Sequence, residues 1–283
     1  MRGPLGGVKS WRGAHAFFSR RSAWGRGLAA LLCLTWSGAA SAHTSYMEPS
    51  VFVTANAEIV TIESSFAESF MFRPEVAVDS QDFHVVRPDG GRDEFDRIES
   101  FHQLTVLESD LTEPGTYRFT TGERLGRVST YVQIDGAWRP LAPGESVPPG
   151  ARTRQSQTAT VADVYVTKGA PTRAPVDHTI GRLTLHPITH PNDIYLGEGF
   201  RFEVLFDGAP LANQEIQIDR QGGDYEEPRF QQIVRSDAQG RVQLSFDRAG
   251  LYLIMTRHIA DAPDGGETSV RSYTTSLTFE VTP

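Results

Sequence analysis

The residues best suited to chemistry in this 283-residue chain are histidines, and His43 has the most informative position. It follows Ala40-Ser41-Ala42, an A-x-A pattern typical of signal-peptidase sites. Cleavage after Ala42 would give His43 a free α-amine beside its imidazole. Amine and ring Nδ1 can close a six-membered chelate, because an amine pKa of about 7.7–8 lets a metal displace the proton near neutrality. The alternative is a histidine left by cleavage at a solvated chain end.

Four further histidines are candidate ligands, each with a structural alternative as a hydrogen-bonded loop or core residue. His186 and His190 have the spacing H-x-x-x-H, but the proline after each favours extended backbone. On one strand they would lie about 13 Å apart, so they share an ion only if a turn joins them. His84 is expected on the strand face opposite its apolar neighbours, and His258 ends an apolar strand. Histidines without cysteines suit divalent metals that prefer nitrogen.

Residues 1–42 are expected to be a cleaved signal peptide that sends the protein to the periplasm. They carry six basic residues, no acidic residue and an apolar run at 28–36. That run is shorter than the roughly 20 residues of a membrane-spanning helix. Arg20-Arg21 leaves the choice between general and twin-arginine export open. The segment also contains the only cysteine, Cys33, so no disulfide is expected after cleavage.

The net charge of the remaining chain limits its partners. Of 27 basic residues, the six in 1–42 are removed, which leaves 21 against 35 acidic residues and a net charge of −14 with neutral histidines. A protein this acidic repels nucleic acid and anionic lipid, which argues against both as partners. No membrane insertion is expected once the signal is removed.

The pattern of the mature chain predicts an all-β protein of two sandwich-like domains. Alternating or β-branched segments separated by Gly, Pro and Asp turns recur throughout, and no segment has sustained helical periodicity. Prolines and glycines in 168–176 mark a linker. The predicted divisions are a signal peptide at 1–42, an N-terminal β domain at 43–170, a linker at 171–180 and a C-terminal sandwich at 181–283.

One short pattern occurs in both halves. Gly115-Thr-Tyr117 and Gly250-Leu-Tyr252 each place a tyrosine two residues after a glycine at the start of a predicted strand. In sandwiches, a tyrosine at such a corner often hydrogen-bonds back to the upstream backbone. We therefore predict this hydrogen bond for Tyr252, with coincidence as the alternative.

Several segments resemble a family of exported bacterial proteins of unknown function. They are LFDGAPLA at 205–212, SDAQGR at 236–241, AGLY at 249–252, HTSYMEP at 43–49 and HPITHPN at 186–192. Members are often labelled as the periplasmic component of an ABC-type cobalt transport system, with nickel uptake as a related label. The second half also resembles carboxypeptidase-regulatory or transthyretin-like sandwiches, an immunoglobulin-like architecture. The resemblance implies a nickel or cobalt ion, with copper or zinc as alternatives.

No sequence pattern of a common enzyme class is present in the mature chain. It lacks G-x-S-x-G, H-E-x-x-H, a Walker loop, a dinucleotide fingerprint and a cysteine nucleophile. We therefore expect a periplasmic divalent-metal-binding protein, not a catalyst, that contacts a membrane transporter or an outer-membrane receptor. Two alternatives stay open: a copper enzyme that uses His43 in a histidine brace, and a metal-free interaction module.

Overall fold

The computed structural model describes residues 44–67, 71–142, 144–266 and 268–283. His43 and the predicted signal peptide lie outside these residues. The described chain is almost entirely β, which confirms the predicted all-β, sandwich-like fold. None of its helices has the length and apolar character needed to cross a membrane.

Twelve strands form the first half of the described chain. They are β1 (Thr44–Pro49), β2 (Val53–Thr54), β3 (Ile59–Ala67), β4 (Val76–Ala77), β5 (His84–Val86), β6 (Arg92–Asp93), β7 (Arg97–Ser100), β8 (Thr105–Asp110), β9 (Gly115–Thr120), β10 (Arg124–Ile134), β11 (Ala137–Pro140) and β12 (Thr153–Lys168).

The second half begins with a single helical turn and continues as strands. The elements are α1 (Ala174–Asp177), β13 (Leu183–Pro187), β14 (Phe200–Phe206), β15 (Ala209–Pro210), β16 (Glu215–Arg220), a 3-10 turn (Gly223–Tyr225), β17 (Gln231–Arg235), β18 (Arg241–Leu244), β19 (Gly250–Asp261) and β20 (Val270–Val281).

These strands form three sheets. The N-terminal sheet has the order β1-β3-β8-β7, with β4 beside β3. The C-terminal sheet has the order β13-β14-β15, with β18 also beside β14. The central sheet has the order β17-β16-β19-β20-β12-β9-β5-β6, and β10, β11 and β2 lie off this path. Strands from both halves of the chain therefore share the central sheet.

Two apolar cores lie on opposite faces of the central sheet. The alternation of side chains along β19 shows this arrangement: Ile254 belongs to the core beside the C-terminal sheet, whereas Leu253 belongs to a cluster with Tyr46 of β1. The N-terminal core contains Met47, Val60, Ile62, Leu107, Val85, Tyr117, Phe119, Ala162, Val164 and Val166. The C-terminal core contains Leu183, Leu185, Phe200, Phe202, Val204, Ile216, Ile218, Val242, Tyr252, Ile254, Tyr273, Leu277, Phe279 and Val281.

The parallel pair β12 and β20 connects the two halves, in register from Ser156 opposite Val270 to Val164 opposite Thr278. After β12 in the sequence, the predicted linker contains the short helix α1, whose Val176 is buried in the C-terminal core. The division into domains at 43–170 and 181–283 stays a prediction.

Both tyrosine corners are present. The Tyr252 hydroxyl donates to the Arg248 carbonyl at 2.9 Å, which confirms the predicted hydrogen bond. The Tyr117 hydroxyl donates to the Glu113 carbonyl at 2.9 Å and accepts the amide N–H of the same residue at 2.8 Å.

Candidate functional site

The region nearest the predicted N-terminal chelate is the start of β1. Thr44, Ser45, Tyr46 and Met47 are all buried, and Thr44 pairs with Ala67 on β3. The Ser276 hydroxyl of β20 donates to the Ser45 carbonyl at 2.6 Å. The strand is therefore fixed from its first described residue.

His84 is the predicted ligand whose ring is best prepared to bind a metal. Phe83 and Val85 belong to the N-terminal core, so His84 lies on the opposite face of β5, as the sequence predicts. Its Nδ1 lies 2.6 Å from the Asp82 carbonyl and must donate to it, which leaves the lone pair on Nε2. This hydrogen bond is common among metal-ligating histidines. Burial lowers the pKa of His84, which favours the neutral form of the ring.

His190 uses both ring nitrogens within the protein. The Asn192 amide donates to Nδ1 at 3.2 Å, so the ring proton lies on Nε2. Nε2 in turn contacts the Thr172 carbonyl at 3.2 Å and the Thr116 hydroxyl at 3.0 Å. Burial lowers the pKa of this ring as well. A metal ion would have to displace one of these hydrogen bonds to bind His190.

His186 lies on β13 between two carboxylates. Its Nε2 is 3.3 Å from Asp177 Oδ1, and its Nδ1 is 3.7 Å from Glu203 Oε2 on β14. Each carboxylate also pairs with an arginine: Asp177 with Arg173 at 2.5 Å and Glu203 with Arg241 at 3.3 Å. Because the carboxylates face opposite nitrogens of one ring, a single ion cannot bond to all three side chains. His186 thus lies between two carboxylates, each of which also pairs with an arginine on its other side.

His258 lies on β19 and packs against Phe206, with ring centroids 4.8 Å apart. It shares the strand face of Ile254, toward the C-terminal sheet. Burial, followed by the nearby charge of Arg182, lowers the pKa of His258.

The predicted histidine ligands do not converge within the described chain. His84 and His258 lie on the face of the central sheet that points away from β1. His190 lies on that same face of the sheet, where its ring contacts the Thr116 hydroxyl of β9. In residues 44–67, 71–142, 144–266 and 268–283, no three His, Cys, Asp or Glu side chains form a group able to hold a metal ion. His43 lies outside these ranges, so its chelate stays a prediction.

Sequence reasoning missed two features of the surface. The carboxylates beside His186 are 9 and 17 positions from it in sequence, and only the register of β13 with β14 and the α1 turn bring them close. The second feature is a like-charged pair, Glu48 opposite Glu63 on β1 and β3. Burial, and then the charge of Glu63, raises the pKa of Glu48.

Comparison with known proteins identifies the family. The profile of the family described as "Domain of unknown function (DUF4198)" matches residues 40–260. The chain belongs to this family. No match was found among curated proteins.

The solved structures that resemble the chain do so weakly. Trypsin-activated alpha-2-macroglobulin from Escherichia coli is 12% identical, with a TM-score of 0.23, over 84% of this chain and 16% of that protein. The D0-D1 domain of Intimin is 10% identical, with a TM-score of 0.19, over 82% of this chain and 96% of that one. The Bacillus anthracis TIE protein is 11% identical, with a TM-score of 0.16, over 84% and 39%. The chain therefore spans about one-sixth of the macroglobulin. At these TM-scores, the similarity does not assign a fold family or a function to the chain.

Proposed function

We propose that the protein is a periplasmic divalent-metal-binding protein that serves nickel or cobalt uptake or handling, with His43 as the N-terminal ligand. The observation that carries this proposal is the fixed start of β1, where Thr44 is buried and paired with Ala67. In general, a ligand joined to an anchored residue costs less entropy to order on binding a metal than a ligand at a free chain end.

The transport labels attached to similar proteins favour nickel or cobalt and a membrane transporter or outer-membrane receptor as partner. A site of nitrogen ligands will nevertheless bind copper more tightly in vitro, following the Irving–Williams order. His84, with its lone pair on Nε2, has the tautomer that a further ligand needs, although it lies on the sheet face away from β1, and His190, His186 and His258 remain alternatives.

The second candidate is a metal-free interaction module. It is favoured by His190, whose ring hydrogen bonds are already satisfied by the protein, and by the absence of a three-ligand group in the described ranges. Elemental analysis of protein purified from its native compartment separates the two candidates. A metal-binding protein retains nickel, cobalt, copper or zinc at a defined ratio, and an interaction module does not.

The direct test compares three mature chains: the native chain, one with an extra alanine before His43, and His43→Ala. The insertion converts the amine to an amide, and the substitution removes the ring. Each loses a ligand, so nickel, cobalt or copper affinity should fall by at least about 10–100-fold. Binding by the native chain should also fade below about pH 6, since amine and ring then hold their protons more tightly. Calorimetric titration measures both effects.

His102→Ala is the matched control, because this histidine is exposed on a loop and its removal should leave binding unchanged. The intact mass must first show that the native chain begins at His43. Metal-free melting temperatures should be the same for all four proteins. If the alanine-extended chain binds as tightly as the native one, the N-terminal chelate is wrong.

A further inference from the structure

A hairpin and the strand beside it carry positive charge in an otherwise acidic protein. β10 pairs with β11 and with the first half of β12, from Arg124 opposite Thr160 to Val132 opposite Thr153. We call residues 124–160 the arginine ribbon. They contain five arginines and two acidic residues, a net charge of +3. The rest of the chain from residue 43 has 16 basic and 33 acidic residues, a net charge of −17.

One face of the arginine ribbon combines arginine with aromatic rings. Tyr131 pairs with Arg154, and Trp138 pairs with Gln133. The Arg154 guanidinium carbon lies 4.4 Å from the Trp138 ring centre and 5.9 Å from that of Tyr131. Arg152 reaches Gln133 on the same ribbon at 3.5 Å. The two rings thus fix the position of the Arg154 guanidinium, which has no carboxylate partner in the described ranges.

The lack of carboxylate partners distinguishes the arginine ribbon from most of the surface. Elsewhere, arginines such as Arg182 and Arg235 form ion pairs with Asp207 and Glu215. Within the described ranges, four ribbon arginines have no carboxylate within salt-bridge distance: Arg124, Arg127, Arg152 and Arg154. Free guanidinium groups on an acidic protein are available to an external anion.

Aromatic side chains accompany these charges on the same face. Tyr131 and Trp138 share this face with Arg152 and Arg154, whereas the exposed Leu125 and Val128 lie on the opposite face of the ribbon. An acidic protein segment would match only the arginines. A lipid headgroup layer accommodates both kinds of side chain, because tryptophan and tyrosine are enriched at membrane–water interfaces and phosphates attract arginine.

We propose that the arginine ribbon is a docking surface for an anionic phospholipid bilayer. Total charge predicts repulsion from such a bilayer, but charges more than a Debye length away, about 8 Å at physiological salt, are largely screened. The ribbon arginines therefore dominate when this surface faces the lipid. The proposal is independent of metal binding, since none of the candidate histidines lies in the ribbon.

The experiment is co-sedimentation of the metal-free mature protein with vesicles of phosphatidylcholine, alone or with about one-third phosphatidylglycerol. Binding is expected only to the anionic vesicles, and it should be lost at about 1 M salt, where the Debye length falls to about 3 Å. The double variant Arg127→Gln/Arg152→Gln should bind at least about tenfold more weakly, because each arginine near an anionic surface contributes about 5-fold. Trp138→Ala should weaken binding further.

The matched control is Arg97→Gln/Arg201→Gln, which removes the same charge from two exposed arginines outside the ribbon and should bind like the native protein. Melting temperatures of both double variants should equal that of the native protein. Absence of binding to anionic vesicles at low salt overturns the proposal, and so does an equal loss in the control. Binding to polyglutamate but not to vesicles also overturns it and indicates an acidic protein partner.

Discussion

The two apolar cores and the contacts where the halves meet differ in chemistry. The cores are filled by aliphatic and aromatic side chains, such as Phe119 in the N-terminal core and Phe279 in the C-terminal core. On the reverse side of β9 and β12, however, residues 171–192 also make a set of polar contacts, through Thr172, His178, His190 and Asn192. We call these contacts the polar junction. Apolar packing tolerates changes of shape, whereas hydrogen bonds require defined partners. The polar junction therefore adds specific contacts to the connection that β12 and β20 make between the halves.

The centre of the polar junction is a buried ion pair. Arg118 and Asp163 are joined at 2.6 Å, with side chains only 2% and 8% exposed. Burial alone lowers the pKa of Arg118, but the charges of Asp163 and Tyr165 and the hydrogen bond to Asp163 together outweigh this effect and raise it. Arg118 also donates to the His178 carbonyl of the predicted linker. Beside it, the Thr167 hydroxyl donates to the Asn192 side-chain carbonyl at 2.9 Å.

The largest effect is expected when the polar junction is removed altogether. A fragment of residues 181–283 retains nearly all of the C-terminal core but loses Ala159, Tyr165 and Val176, and β20 loses its partner β12. We expect it to fold with a β-type circular dichroism spectrum and to melt cooperatively, at a lower temperature than the full chain. A longer fragment, 153–283, keeps β12 and should melt between the two. A disordered 181–283 fragment would show that the predicted domain boundary is wrong.

A smaller effect is expected from breaking the ion pair. Asp163→Asn leaves the Arg118 charge buried without its carboxylate, which should reduce the free energy of unfolding by about 3–5 kcal/mol. Urea unfolding measures this change. The control is Asp207→Asn, whose pair with Arg182 is half-exposed and should contribute no more than about 1 kcal/mol.

Replacing both partners sharpens the result, because Arg118→Met/Asp163→Leu removes the charges together. This double variant should recover most of the lost stability. Equal losses of unfolding free energy in Asp163→Asn and Asp207→Asn would mean that the Arg118–Asp163 pair does not stabilise the polar junction.

The smallest effect compares the two tyrosine corners. Tyr117→Phe leaves both the N–H and the carbonyl of Glu113 without the hydroxyl, whereas Tyr252→Phe removes the hydroxyl from one backbone group, the Arg248 carbonyl. We expect losses of about 2 and about 1 kcal/mol in the free energy of unfolding, measured in urea. A larger loss in Tyr252→Phe would contradict the hydrogen-bond count.

Sequence patterns predicted the local structure well wherever one strand face is apolar or a turn needs special backbone. The alternating segment 115–120 predicts a strand, and β9 coincides with it. Two of the Asp-Gly pairs that predict turns have positive φ at both residues, 49° and 82° at Asp135-Gly136 and 52° and 75° at Asp207-Gly208. This backbone is typical of tight hairpins and favours these residue types.

Long-range features could not be predicted in the same way. β1 was not predicted as a strand, because both of its faces are buried and no alternation marks it. The segment 101–107 alternates as a strand does and predicts one strand there, but β7 ends at Ser100 and β8 begins only at Thr105. The parallel pairing of β12 with β20 joins residues more than 100 positions apart. Tertiary packing, which local patterns do not encode, determines all three, as well as the partners of His186.

The length of β12 has a mechanical consequence. This strand has 16 residues, about 50 Å when extended, and its first half lies in the arginine ribbon while its second half crosses the core. A pull on the ribbon along the strand would load the nine residue pairs with β20 in shear. The hydrogen bonds of all nine pairs would then bear the force at the same time. If the strands were instead pulled apart sideways from one end, these bonds would break one after another. A tether at this end of the molecule would therefore transmit force to both halves through one continuous strand.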